Sequence, residues 1–125
     1  MSIKNWTVLV VEDEVDSMEL VQGLLEHHGI HAVGVSSGEE AVQALKQMTP
    51  TLIILDLALP GLDGWGVLKS VKSNRVLSHV PCVAITAFHT PELAEQAISA
   101  GFSGYFAKPI DATSFVRELQ SIMSE

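Results

Sequence analysis

Acids and a lysine punctuate this 125-residue chain at the points where its apolar runs stop. Glu12 and Asp13 follow Val8–Val11, Asp56 follows Leu52–Leu55, and Lys108 follows Tyr105–Ala107. Carboxylates gathered in one place repel each other unless a cation sits among them. A lysine beside them cannot bind a metal, but it can neutralise an anionic ligand. Together these residue types describe a divalent-metal site next to an anion pocket, with one carboxylate free to act as a nucleophile. For that chemistry the strands carrying them must end at one edge. A parallel α/β sheet meets the condition, because all its strand ends open onto the same crevice.

The rest of the sequence supplies such a sheet. Strand and helix patterns alternate five times. Val8–Val11 and Leu52–Leu55 are continuous apolar runs, as expected for strands buried on both faces. His31–Val35 alternates and reads as an edge strand, Val80–Ile85 as the fourth strand and Tyr105–Ala107 as a short fifth. Between them, Met18, Val21 and Leu25 recur at helical spacing, with Gly29 placed to stop the helix. Ser37 and Glu40 form a capping box before a helix bearing Ala41, Ala44, Leu45 and Met48, which Pro50 closes. The loop Pro60–Gly64 precedes a helix with Trp65, Leu68 and Val71. Thr90-Pro91-Glu92 starts a fourth helix, with a capping hydroxyl, proline at its first position and an anion near the dipole. Its expected buried face is Leu93, Ala94, Ala97 and Ile98. Asp111 is expected to cap a last helix with Phe115, Val116, Leu119, Ile122 and Met123 inward. Short connections and this alternation imply a parallel sheet with helices on both faces.

Bulk properties narrow the function. A chain of 125 residues that is 47% hydrophobic suits one domain with a real core. A formal charge of −8 argues against nucleic acid or an anionic membrane surface as a direct partner. No apolar run approaches the roughly 20 residues of a membrane helix, and no apolar signal segment precedes the first strand. The single cysteine, Cys82, lies in an apolar stretch and reads as a buried, inert thiol in a protein of the reducing cytoplasm. His27, His28 and His31 flank Gly29 without the paired spacing of a metal site, and read as surface residues. His79 and His89 fall in loops, His89 near the crevice rim, where it can meet a partner. Trp6 and Trp65 read as packing residues.

Four stretches carry a more specific resemblance: Val8–Asp13, Asp56–Gly64, Ala84–Ala87 and Gly104–Pro109. In this order and spacing they resemble the receiver domain of two-component response regulators over essentially the whole chain, residues 1–125, in its stand-alone, cell-cycle or chemotaxis-type form without an output domain. The resemblance implies a flavodoxin-like, doubly wound α/β fold with strand order 2-1-3-4-5. It implies that Asp56 accepts a phosphoryl group from the phosphohistidine of a sensor kinase or a histidine phosphotransfer protein. Glu12, Asp13, Asp56 and the Ala58 backbone carbonyl would hold Mg²⁺, Lys108 would neutralise the phosphoryl oxygens, and Thr86 would hydrogen-bond one of them. Tyr105 matches the family's switch aromatic. The phosphoform would then change the face made by the fourth helix, fifth strand and fifth helix, controlling a downstream protein target, and the family allows a phosphorylation-dependent homodimer. Relatives also use a cis bond where this chain has Lys108-Pro109. Such a protein is a cytoplasmic regulator that catalyses only its own phosphoryl transfer and dephosphorylation.

Other functions fit less well. A haloacid-dehalogenase-type phosphatase would need a second acid two residues after the nucleophile, where this chain has Ala58. A nucleotide- or flavin-binding domain would want a Gly-rich loop after the first strand, and the acids of Glu12-Asp13-Glu14-Val15 would repel a phosphate there. An adaptor that works without phosphorylation remains an alternative, although such relatives commonly lack a key residue and none is missing here. Ala58 and Phe88 depart from common choices. A small Ala58 opens space near the reacting carboxylate while Phe88 shields it. Leu59 replaces a frequent methionine of similar volume, a neutral exchange.

Overall fold

Each expected apolar run forms a strand in the computed structural model, which describes residues 2–124. The strands are β1 (Thr7–Val11), β2 (His31–Val35), β3 (Leu52–Asp56), β4 (Cys82–Thr86) and β5 (Gly104–Ala107). The helices are α1 (Val15–His27), α2 (Gly38–Ala44), α3 (Gly64–Ser73), α4 (Pro91–Ala100) and α5 (Phe115–Met123). Every strand pairing is parallel and the order is β2-β1-β3-β4-β5, the doubly wound arrangement expected from the sequence.

Strand parity explains the unbroken apolar runs. Leu9, Val11, Ile53, Leu55, Cys82 and Ala84 face one side, where they pack with Ala41 of α2, Val67, Leu68 and Val71 of α3, and Ala97 of α4. The alternate residues Val8, Val10, Leu52, Ile54, Val83 and Ile85 face Val21 and Leu25 of α1 and Phe115, Val116 and Leu119 of α5. With a core on both sides the interior positions of the central strands are apolar, and polar residues such as Asp56 and Thr86 come only at their ends. Each such Leu, Ile or Val contributes about 1.5–3 kcal/mol by leaving water. β2 lies at the edge, with His31 exposed and Ala32 buried.

The helix starts follow the local cues. The Ser37 hydroxyl accepts the Glu40 N–H at 3.0 Å, and Glu40 reaches back to the Ser36 N–H at 3.1 Å. The Thr90 hydroxyl accepts the Leu93 N–H at 3.0 Å, with Pro91 at the first helical position. Gly29 and Gly101 follow α1 and α4 at φ of 79° and 118°, left-handed conformations that favour glycine.

The structure corrects several boundaries. α2 stops at Ala44 rather than running to Met48, because the Lys46 and Gln47 N–H groups bond three residues back and tighten the chain into turns. β4 begins at Cys82 rather than Val80, since Pro81 has no N–H for the ladder and the Val80 N–H turns back to Leu77. β5 begins one residue early, at Gly104. On α4, Leu93 and Ala97 make the core contact, and Ile98, expected to be buried, is 53% exposed because it lies about 100° round the helix from Ala97. α5 begins at Phe115, so Asp111 does not cap the helix itself. Its carboxylate instead accepts the N–H and hydroxyl of Thr113, holding the turn that leads in. Among the described residues no helix is long and apolar enough to cross a membrane.

Candidate functional site

Strand order reverses at β1, which has β2 on one side and β3 on the other. The crevice beyond the ends of β1 and β3 is the position where doubly wound sheets bind ligands. Backbone bonds continue past each strand end and fix the residues there. The Glu12 N–H donates to Val35, the Leu57 N–H to Ile85 and the Lys108 N–H to Thr86, at 3.1, 3.0 and 2.8 Å. α3 closes in from the side, with Asp63 capping it through the Gly66 N–H at 2.9 Å. Gly64 permits that approach, because a Cβ there would lie 2.5 Å from the Asp56 carbonyl oxygen.

These elements bring Glu12, Asp13, Asp56 and Lys108 together. One carboxylate oxygen from each of the three acids lies within 4.8 Å of the others. Glu12 and Asp56 are buried, whereas Asp13 is exposed. Asp56 Oδ1 accepts the Ala58 N–H at 2.9 Å, and Asp56 Oδ2 accepts from Lys108 Nζ at 2.9 Å. Lys108 Nζ also donates to Glu12 Oε1 at 2.5 Å and Glu14 Oε1 at 2.8 Å. The Lys108-Pro109 bond is cis, as expected. A cleft of about 240 Å³ opens above, lined by Asp13, Glu14, Asp56, Ala58, Ala87, Phe88 and Lys108. Thr86 is buried beside it, its hydroxyl oxygen accepting the Phe88 N–H at 3.1 Å. Tyr105 lies further out, half-buried, with its hydroxyl 3.1 Å from His89 Nδ1.

The charges in this crevice are unevenly matched. Burial, reinforced by the neighbouring Asp56 carboxylate, pushes Glu12 up to about 7. Burial also acts to raise Asp56, but the adjoining Glu12 side chain, the Ala58 N–H and Lys108 outweigh it and hold Asp56 below the usual carboxylate range. Burial disfavours the charged form of Lys108, yet Glu12, Glu14 and Asp56 overcome it and raise its pKa. One oxygen of Glu12, Oε2, is buried without a hydrogen-bond partner. A buried acceptor of this kind demands a proton or a cation. With three convergent carboxylates around it, the site fits a hard, oxygen-seeking divalent ion.

Three features were not read from the sequence. Glu14 enters the site through Lys108, and its only sequence signal is that it prolongs the acidic run after β1. Ala87 joins Phe88 in the cleft wall. His89 has a definite neighbour in Tyr105, sixteen residues away, a pairing that spacing cannot reveal. The other histidines stay apart from metal chemistry: among the described residues the acidic trio is the one cluster arranged to hold an ion. His28 Nδ1 lies 2.9 Å from its own helix's Leu24 carbonyl. Cys82 is fully buried, and burial pushes its thiol up to about 11. Trp6 is buried, and Trp65 packs edge-on against Phe102.

Residues 8–120 match the response regulator receiver domain. The polar-differentiation response regulator DivK of Brucella ovis is 32% identical over 119 residues, spanning 95% of this chain and 97% of that protein. A putative response regulator from Chloroflexus aurantiacus superimposes with a TM-score of 0.90 at 28% identity, over 96% of this chain and 98% of that one. The chemotaxis response regulator CheY4 of Vibrio cholerae shares the fold, with a TM-score of 0.87 at 23% identity over 94% and 98% of the two chains.

Proposed function

The chain belongs to the response regulator receiver domain family, and on that premise we propose that it is a phosphoacceptor of a two-component phosphorelay, with Asp56 as the accepting residue. The observation that carries this reading is the state of Asp56: a buried strand-end carboxylate kept ionised, with Lys108 on one oxygen and the Ala58 N–H on the other, facing an open cleft. An Asp56 oxygen attacks the phosphorus of a phosphohistidine on a sensor kinase or phosphotransfer protein. The P–O bond forms as the P–N bond breaks, and the imidazole leaves with the electron pair. Charge builds on the phosphoryl oxygens during this transfer, and positioning and neutralisation are the main work left to the protein. Lys108 is placed for it. Glu12, Asp13, Asp56 and the Ala58 carbonyl would hold Mg²⁺, which when bound supplies further neutralisation of those oxygens. Thr86 would donate its hydroxyl to a phosphoryl oxygen once transfer is complete.

The same reading takes residues 1–125 as one receiver domain. It makes the protein a cytoplasmic regulator whose phosphoform is read by a protein target at the α4–β5–α5 face. Acetyl phosphate with Mg²⁺ is expected to add one phosphoryl group, seen by intact mass. Asp56→Asn is expected to stay folded and take none, and chelation of the metal is expected to abolish labelling of the wild type. Equal labelling of Asp56→Asn and wild type, or labelling indifferent to chelation, would remove the mechanism.

A further inference from the structure

An ammonium group has three N–H donors, and in this site all of those of Lys108 are taken, by Glu12, Glu14 and Asp56. A lysine saturated in this way has nothing to offer an incoming phosphoryl oxygen until one carboxylate lets go. The partners are unequal. The side chains of Glu12 and Asp56 are 0% and 5% exposed, whereas that of Glu14 is 62% exposed. A buried carboxylate can give up this lysine only where another cation already balances it, while an exposed one is taken up by water at little cost. Glu14 is therefore the partner that leaves. It occupies the N-cap position of α1 but makes no capping bond with its side chain. The Oε1 atom that meets Lys108 also accepts the Ser17 hydroxyl at 3.4 Å. A carboxylate that could have served the helix is turned toward the lysine instead.

We infer that Glu14 is a positioning residue that latches Lys108 in the unphosphorylated site and must release it before the lysine can engage a phosphoryl group. The inference rests on the phosphoacceptor reading of Asp56. It has consequences in both directions of the reaction. On the way in, Glu14 withholds a donor and adds negative charge at the mouth of a cleft that must admit a dianion. Afterwards it competes to recapture Lys108, loosening the hold on the phosphoryl oxygens. Because the latch is exposed and works through charge, salt weakens it.

The test compares wild type, Glu14→Gln and Glu14→Asp for labelling by acetyl phosphate in Mg²⁺, with melting temperature as a check on folding. Glu14→Gln is expected to label about three- to tenfold faster than wild type at low ionic strength. That ratio is expected to shrink toward one in about 0.5 M salt, where screening acts within a few ångströms. Glu14→Asp keeps the charge and is expected to remain closer to wild type than to Glu14→Gln. Beryllofluoride, an unreactive phosphoryl mimic, is expected to bind Glu14→Gln several-fold more tightly. A merely structural role would move melting temperature and leave no salt-dependent ratio. Wild-type rates and beryllofluoride affinity in Glu14→Gln would overturn the latch while leaving Asp56 as acceptor. No labelling of any form, wild type included, would overturn the acceptor reading and the latch with it.

Discussion

At the scale of single residues, burial separates side chains that look alike in the sequence. Glu12 and Asp13 are adjacent acids, and nothing in their types says which is held inside. The Glu12 N–H extends the ladder to Val35, and its side chain is buried while that of Asp13 is exposed. The acidic trio was thus legible, but not its internal division of labour. Cys82 shows the same physics without any function attached, and it gives a pH test. Its thiol, fully buried, is raised from 9.0 to about 11. The folded pKa lies above the unfolded one, so its contribution is fully present below about pH 9 and is lost as pH climbs through about 11. Urea unfolding between those pH values is expected to show wild type losing about 2–3 kcal/mol more than Cys82→Ala. Parallel pH profiles for the two proteins would show that the thiol does not ionise against burial.

At the scale of elements, the starts of α2 and α4 and the stop of α1 at Gly29 were legible, whereas the end of α2 and the start of α5 were not. Ser37, Thr90 and Pro91 act on the turn they begin, so their cues are local. The early end of α2, the exposed Ile98 and the displaced start of α5 depend on how each segment meets the rest of the molecule, which spacing does not encode. Close approach of elements is likewise invisible until glycines are placed. At Gly64 an added Cβ would meet backbone, 2.5 Å from the Asp56 carbonyl oxygen and 2.9 Å from Leu57 Cα. At Gly104 it would meet Ile122 Cδ1 at 2.4 Å, the far end of a half-buried side chain that can turn aside. Gly64→Ala is therefore expected to cost about 1–3 kcal/mol and to slow acetyl phosphate labelling at least several-fold, because α3 is pushed away from the strand end that carries Asp56. Gly104→Ala is expected to stay within about 1 kcal/mol of wild type and to label normally. Urea titration and intact-mass kinetics on both variants check the pair, and equal effects would count against this account of the α3 approach.

At the scale of the whole molecule, chemistry at one edge has to become a change of surface elsewhere. The oxygen of Thr86 is occupied by the Phe88 N–H, which leaves its hydroxyl proton free to donate to an anion in the cleft. Movement of Thr86 would open space for the Tyr105 ring, whose hydroxyl would have to leave His89. On the proposed function, phosphorylation would then favour one of two arrangements, by no more than its differential contacts with them. Thr86→Ala is expected to label on Asp56 yet to lose phosphorylation-dependent chemical-shift changes across α4, β5 and α5; unaltered changes would take Thr86 out of the relay. The ladder between β4 and β5 sets Ala84 opposite Tyr105 and Thr86 opposite Ala107. By parity, Thr86 and Tyr105 therefore point to the same side of the sheet as diagonal neighbours, with the small side chains of Ala84 and Ala107 at the other two corners. A slip of one residue would send Tyr105 to the other side, among the partners of α1 and α5, and would carry Lys108, which follows the same strand, away from Glu12 and Asp56. On the proposed function, writing a signal with Lys108 and reading it with Tyr105 would both hang on one hydrogen-bond register, information that belongs to the alignment of two strands.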